Sequence, residues 1–462
     1  MEDAFLEYLR EVSEEFQHYV DLAKRILIVS HIDADGLSSA ALMLKYLYDQ
    51  DKIVQLKFFH YLDKKAIDDI LSVKKDMLIF LDMGSGYIEE LRKYFSYIPT
   101  FIIDHHQLVS KEKKIGKIFQ INPRIFKIDG SKEISSSGVT YLLLKNLSYE
   151  ILDYGWLALV GAIGDIQEDK KGFRGLNKKI LEELQENGII EVKKGLRMFG
   201  LYTRPLHKVL EYSTEIYIPE VTGSETGALQ FLQEIGIPLK KGGDWIKYSD
   251  LNEEQIKKLI TAIILKRMKY NIPNAEDVIG YIYLLKNSSH PFFKDLREIA
   301  YILNATGRMG KPSVGIASVL GDEKYKDQAL DILLEYKKEI LKALENIENV
   351  KKIVYKDILI FYFEKNLRPT LTSPVASILS FRIKDKRIIG VAADEDGTIK
   401  ISIRLVNKND SDLGKAVEKA ALKVGGVGGG HDIAAGASIP KEKLEEFLKE
   451  LYLELKRLSI II

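Results

Sequence analysis

Cysteine is absent from all 462 residues, which excludes disulfides and any thiolate metal centre. Together with abundant Lys, Glu and Ile, that absence matches the habit of heat-adapted intracellular proteins. Long apolar runs are also missing. None approaches the ~20 residues needed to span a bilayer, so no membrane association is expected. The first residues, MEDAFLEYLREVSEEFQHYV, read as an acidic amphipathic helix rather than a basic region before an apolar core. No signal peptide is therefore expected, and the chain is placed in the cytoplasm. Charge of one sign is lacking too: 68 Lys+Arg against 67 Asp+Glu leave a net charge of +1. Any grip on nucleic acid must come from a local patch.

What is there is globular. Hydrophobic residues make up 46% and charged residues 29%, and the length suits two domains with an insertion or linker. The stretch VSHIDADGLS, Val29 to Ser38, sets His31, Asp33 and Asp35 two residues apart after the apolar run Ile26–Val29. An extended chain puts alternate side chains on one side, so the three are expected to converge on a divalent metal. Gly36 releases the chain, Ser38 is the expected cap, and Ser39 to Asp51 reads as a helix.

Further strands are expected at Ile53–Phe59, at Met77–Leu81 running into Asp82, and at Thr100–Ile103 running into Asp104-His105-His106. With helical stretches such as Tyr87–Phe95 between them, they describe a parallel α/β sheet whose strands end in acidic residues on one edge. Ser135-Ser136-Ser137-Gly138 opens a helix and is suited to hold a phosphate. The buried run Trp156–Ile163 ends in Gly164-Asp165 and contributes another carboxylate to the same edge.

From Leu176 to Tyr301 the segments are helical and rich in Lys and Glu, without a metal-like cluster, and suit a plain scaffold or a partner surface. Tyr325–Val350 has the length of a connecting helix. Lys351–Phe363 opens a second α/β unit as a strand, and Thr372-Ser373-Pro374 caps a helix beginning near Val375. Strands at Ile388–Ala393 and Thr398–Val406 precede a glycine-rich loop, Val424–Gly436, carrying His431, and an amphipathic helix at Lys441–Leu458. Glycine clusters let backbone N–H groups approach an anion.

His31, Asp33, Asp35, Asp82, His105 and Asp165 form a sulfur-free ligand set that suits Mn²⁺, or Mg²⁺, better than structural zinc. Six ligands exceed the needs of one ion with open positions, so two metals bridged by Asp82 are expected. Such a pair activates a water and stabilises both oxygens of an in-line displacement at phosphorus. His106 is expected to donate to a phosphoryl oxygen or to protonate the leaving group, or else to serve as an extra ligand or packed neighbour. Asp104 is expected to hold one of the imidazoles in its tautomer. His18, His60, His207 and His290 lack acidic or glycine-rich company and read as surface or packing residues.

HIDADG, LDMGS, IDHHQ and GAIGD, in that order, resemble the four signature motifs of the DHH phosphoesterase superfamily. GGVGGGH resembles the glycine-rich motif of the DHH-associated domain, and NATGRMGKP is similar to the segment between the two domains of RecJ single-strand exonucleases. The resemblance implies one metal on His31, Asp33 and Asp82 and another on Asp35, Asp82, His105 and Asp165, with His106 catalytic. It implies Ser137 and Gly138 near the bound phosphate, and Arg308, supported by Asn304, on the scissile or adjacent phosphate. Arg404, Gly429, Gly430 and His431 would grip the terminal nucleotide.

The domains expected are 1–185 catalytic, 186–300 mainly helical insertion, 301–350 NATGR segment and connecting helix, and 351–462 DHH-associated. The chain ends about 30 residues after His431, so the extra nucleic-acid-binding domain of bacterial RecJ is expected to be missing. In the archaeal branch the insertion is a candidate docking surface for the GINS replication complex. The function implied is a metal-dependent exonuclease on single-stranded DNA, or also RNA, running 5′→3′ in replication or repair, with an interdomain cleft too narrow for a duplex. Alternatives are 3′→5′ action on RNA or mismatched ends, a phosphodiesterase for short oligonucleotides or cyclic dinucleotides, and a GINS-binding scaffold.

Overall fold

Helix α1 (Glu2–Leu22) buries Phe5, Leu9, Val12, Phe16 and Val20, the stripe that three- and four-residue spacing generates. This is a computed structural model, and it describes residues 1–460 except 170, 202, 215, 289, 384–385, 407–411 and 431–432. After α1 come β1 (Arg25–His31), α2 (Ala34–Tyr48), β2 (Ile53–Phe59), α3 (Lys64–Ser72), β3 (Met77–Leu81), α4 (Ile88–Phe95), β4 (Thr100–Ile103), β5 (Lys114–Ile115) and β6 (Ile118–Ile121). They form a six-stranded sheet in the order β2-β1-β3-β4-β6-β5, parallel except for β5. Strands β3 and β4 are buried along their whole length, as a parallel sheet covered by helices on both faces must be. Leu27, Val29, Leu78 and Phe80 share a core with Ile67 and Ile70 of α3 and Leu91 and Phe95 of α4. The strand order reverses between β1 and β3, so the carboxyl ends of those two strands flank the crevice where open α/β sheets carry sites.

Helices α5 (Ser136–Lys145), α6 (Trp156–Gly164) and α7 (Gly175–Glu186) precede β7 (Ile190–Leu196). Next come α8 (Leu206–Glu211), α9 (Glu225–Glu234), a hairpin of β8 (Lys240–Lys241) and β9 (Asp244–Trp245), and α10 (Glu253–Lys269). Strand β10 (Ile279–Leu285) pairs antiparallel with β7 and leads into α11 (Leu296–Arg308), α12 (Pro312–Val319) and α13 (Glu323–Glu345). The last stretch contains β11 (Lys351–Tyr355), β12 (Ile358–Tyr362), α14 (Thr372–Arg382), β13 (Ile388–Glu395), β14 (Thr398–Leu405), α15 (Leu413–Lys423), β15 (Val427–Gly430), β16 (Ala434–Pro440) and α16 (Leu444–Arg457). Its mixed sheet runs β11-β12-β13-β14-β16-β15, and one face buries Ile399, Ile401, Ile403, Ala437 and Ile439 against Val417 and Ala421 of α15 and Phe447 and Leu451 of α16.

The chain divides into two units, Met1–Thr203 with Ile279–Leu333 and Arg204–Val278 with Leu334–Ile462. No helix among the described residues is long and apolar enough to cross a membrane.

Several expectations need correction. Helix α2 starts at Ala34, capped by Asp33 accepting from Gly36 N at 3.0 Å, and Ser38 lies inside it. His31, Asp33 and Asp35 are therefore not on one extended segment. Lys351–Phe363 is a hairpin, because Lys356 takes a left-handed turn conformation with φ of 55° between β11 and β12. The helix expected near Val375 already begins at Thr372. Residues 427–430 of the glycine-rich stretch are a strand paired with β16, where glycine lets backbones pack closely: a Cβ on Gly428 would meet both Ala421 and Gly436. The 186–300 region contains β7, β8, β9 and β10 besides its helices.

Candidate metal centre

The centre lies where β1, β3 and β4 end. His31 closes β1, and its Nδ1 lies 2.9 Å from Asp33 Oδ2 and 3.3 Å from Asp82 Oδ2. Asp82 follows β3 in a left-handed conformation, φ of 59°, that turns its carboxylate back across the sheet end. Burial opposes charge on His31, but Asp33 and Asp82 override it and hold the imidazole pKa well above its ordinary value. Burial alone would raise Asp33, yet His31 brings it well below the carboxylate range.

A second group is built on Asp35, His105 and Asp165. Asp35 points from the first turn of α2 to the N-terminus of α5, accepting from Ser136 N at 2.7 Å, Ser137 N at 2.9 Å and Ser137 Oγ at 2.5 Å. Burial, then the Asp82 charge, pushes Asp35 up to about 6, and burial with Asp35 raises Asp165 well above its ordinary value. His105 donates from Nδ1 to the Gly130 carbonyl at 2.5 Å, so Nε2 is the nitrogen that faces the site. That nitrogen is buried without a hydrogen-bond partner, 3.2 Å from Asp82 Oδ1, 3.2 Å from Asp165 Oδ2 and 3.8 Å from Asp35 Oδ2. Against burial, the three carboxylates hold the metal-free imidazole pKa well above its ordinary value, and a cation among them would take the place of that proton. Oxygen and imidazole donors of this kind fit Mn²⁺ or Mg²⁺.

Asp104 N continues the sheet ladder to Ile121 O, and its carboxylate accepts from Ser85 N, His105 N and His106 N. His106 Nδ1 lies 2.8 Å from Asp104 Oδ1 and 3.7 Å from Asp82 Oδ1, with the ring partly exposed. From α11, Asn304 Oδ1 accepts from Ala34 N at 3.1 Å, and Arg308 lies one turn further on the same helix.

Other expected residues are placed differently. Ser137 and Gly138 are buried, with the Ser137 donors bonded to Asp35 and Gly138 N to Ser135 Oγ, so the anion at this helix N-terminus is Asp35. Their donors are taken up within the chain. Arg404 sits in β14 with its guanidinium donating to Ser373 Oγ at 2.6 Å, Ser377 Oγ at 2.9 Å and two carbonyls. Gly429 and Gly430 pair with Gly436 and Ala435 in the same sheet, and His431 lies outside the described residues.

Sequence reasoning missed the supports. Ser136 Oγ donates to Asp82 Oδ1 at 3.1 Å. Gln167 Nε2 donates to the Gly130 carbonyl at 2.8 Å while its Oε1 accepts from Asn177, which fixes the acceptor that orients His105. Asn122 bridges Ser85 Oγ and the His106 carbonyl. His60, read as a packing residue, has Nδ1 3.4 Å from His31 Nε2. Gln167 had a signal in its nearness to Asp165, whereas Gly130, acting through its carbonyl, and Asn122, acting through its side-chain amide, are far from the ligands in sequence and had none.

Comparisons with known proteins bear on the domains and the fold. The model of the DHH family N-terminal domain matches residues 25–162, that of the DHH-CID domain 198–278 and that of the DHHA1 domain 351–457. The uncharacterized protein MJ0831 of Methanocaldococcus jannaschii is 37% identical over 436 residues, covering 92% of each chain. Among solved structures, CDC45 from Entamoeba histolytica superposes with a TM-score of 0.67 at 13% identity, over 98% of this chain and 99% of that one. RecJ from Thermus thermophilus in complex with Mn²⁺ gives 0.58 at 17% identity, over 97% of this chain and 55% of that one. At such identities these two likenesses concern the fold.

Proposed function

This chain belongs to the DHH family, and from that premise we propose that it is a metal-dependent, single-strand-specific exonuclease that hydrolyses phosphodiester bonds and releases mononucleotides. DNA in the 5′→3′ direction is the substrate we assign, in replication or repair, with RNA as a second substrate. The observation that carries the reading is the buried Nε2 of His105, turned without a hydrogen bond towards Asp82, Asp165 and Asp35. In this reading His31, Asp33 and Asp82 hold one divalent ion and Asp35, Asp82, His105 and Asp165 the other, Mn²⁺ or Mg²⁺. When bound, the pair supplies Lewis acidity and lowers the pKa of water.

The chain's own residues do the rest. Asp104 accepts from His106 Nδ1, and in the doubly protonated ring the Nε2–H is the donor positioned for a phosphoryl oxygen or the leaving group, returning the ring to its Nδ1–H form. Asn304 fixes the start of α2, and Arg308 reaches the scissile or adjacent phosphate, where a guanidinium binds bidentately. Arg404, Gly429, Gly430 and His431 are the residues that the resemblance assigns to the terminal nucleotide. Residues 186–300 dock a partner, the GINS complex, and retention of GINS on the immobilised intact chain tests that part; no retention removes it.

The decisive test is product analysis on DNA and RNA strands labelled at either end, with Mn²⁺ or Mg²⁺, comparing the intact protein with Asp82→Ala. Mononucleotides released from one end by the intact protein and not by the variant support the reading and give its polarity. Faster turnover of dinucleotides or cyclic dinucleotides than of long strands replaces it with a short-substrate phosphodiesterase. No metal-dependent cleavage at all leaves the scaffold.

A further inference from the structure

Ile166 follows Asp165 directly, and two independent observations set it apart. Its φ is 57°, and among the described non-glycine residues with positive φ it is the only β-branched one and the only apolar one; the rest are Asp, Asn, Lys, Glu and Ser. Its side chain is 84% exposed, more than any other large apolar residue described.

The backbone has an evident use. Gln167 N bonds to Ala162 O at 2.9 Å and Ile166 N to Ile163 O at 3.1 Å, a Schellman closure of α6 that leaves Asp165 in the site and turns Gln167 under His105. Glycine is the usual residue at this left-handed position and would close the motif without strain. Exposure rules out an intramolecular contact that compensates the isoleucine. Whatever its side chain meets lies outside the chain, beside a carboxylate of the metal centre.

We propose that Ile166 is the apolar shelf on which the nucleobase beside the scissile phosphate packs. The inference rests on the phosphodiesterase reading above. Consecutive Cα atoms are about 3.8 Å apart, so this exposed side chain starts one residue from Asp165, a ligand of the centre in that reading. The base is the flat apolar surface that a nucleotide brings there. Aliphatic packing on its face makes no hydrogen bond to a base edge, so it grips every base alike, as a sequence-tolerant nuclease requires.

The test uses the full chain loaded with Ca²⁺ as a slow-turnover ion and a labelled oligothymidylate, read by fluorescence anisotropy. A second oligomer of equal length carries abasic sites at its terminal positions. Ile166→Asn keeps a residue that tolerates the left-handed backbone but removes the apolar surface, and Ile166→Leu restores apolar bulk. Expected are about three- to tenfold weaker binding of the thymidylate by I166N, binding by I166L within about twofold of the parent, and a loss below about twofold for I166N on the abasic strand. I166N should also melt higher, because strain is relieved. Equal losses on both oligomers, or none on either, would overturn the proposal, the second result pointing to a protein partner for the side chain. If the parent protein neither binds nor cleaves any oligonucleotide, the phosphodiesterase reading falls, and this inference with it.

Discussion

Gly161→Ala is the sharpest probe of how the second ligand group is built. Gly161 lies within α6, and a Cβ there would stand 2.1 Å from both Asp35 Oδ1 and Ser137 Oγ. Ordinary contact begins near 3.4 Å, so the carboxylate and the hydroxyl must retreat by more than an ångström. That breaks the 2.5 Å bond between them, a charge-assisted interaction of about 1.5–3 kcal/mol. Overpacking adds about 1–3 kcal/mol. Alanine's better helix propensity returns about 1 kcal/mol. The net loss is about 1.5–5 kcal/mol, which over 462 residues is on the order of 1.5–5 °C in melting midpoint. Mn²⁺ affinity should fall by at least about tenfold, because Asp35 can no longer stand where its ligand oxygen is needed. Thermal melts in EDTA and in Mn²⁺ read the first effect and calorimetric titration the second. Gly86, where a Cβ meets nothing within 4 Å, supplies the control. If G161A were more stable than the parent, as propensity alone dictates, and bound Mn²⁺ equally well, Asp35 would not be wedged between α5 and α6 and the argument would fail.

Mn²⁺ affinity should rise steeply from pH 5 to 7, because metal-free Asp35 is pushed up to about 6 and Asp165, His105 and His31 are also raised, so each proton must leave before the metal enters. Titrations in two buffers of different ionisation enthalpy count those protons, and an affinity flat over this range would contradict the site. Burial pushes Asp295 from 3.8 up to about 6, partly opposed by Arg297. With the folded pKa above the unfolded one, the folded state binds the extra proton between about pH 4 and 6, and its contribution to stability is present below that window and lost as pH rises through it. Asp295→Asn should therefore gain on the parent by up to about 2–3 kcal/mol between pH 4 and 7, read from urea midpoints at each pH. Asn304→Ala strips the acceptor from Ala34 N and should cost about 1–3 kcal/mol in denaturant unfolding; a neutral result would mean that α11 does not anchor the HIDADG turn.

The sheet was legible because buried parallel strands are short, apolar and interrupted by polar ends. Met77–Leu81 and Thr100–Ile103 fold with the bounds their composition suggests, and so does the half-exposed edge strand Ile53–Phe59. The supports were not legible, since Gly130 contributes a carbonyl, Gly161 contributes empty space, and Ser136 contributes an amide to a residue 101 positions away. No residue type advertises such roles.

The HIDADG turn joins the two cases, because its ligands are the ones expected while their geometry is not. An extended segment would have put His31, Asp33 and Asp35 on one side of the chain and pointed them at a single ion. Instead the chain passes from strand to helix at Asp33, and a helix turns about 100° per residue, so Asp35 is rotated about 200° from Asp33. Asp33 stays with His31 and Asp82, while Asp35 swings to Ser136, Ser137 and the side of His105 and Asp165. Asp82 borders both groups, with Oδ2 towards His31 and Oδ1 towards His105. The change of period from two to 3.6 within three residues therefore divides one motif between two ligand groups, and a substitution that delayed the start of α2 past Asp35 would merge them.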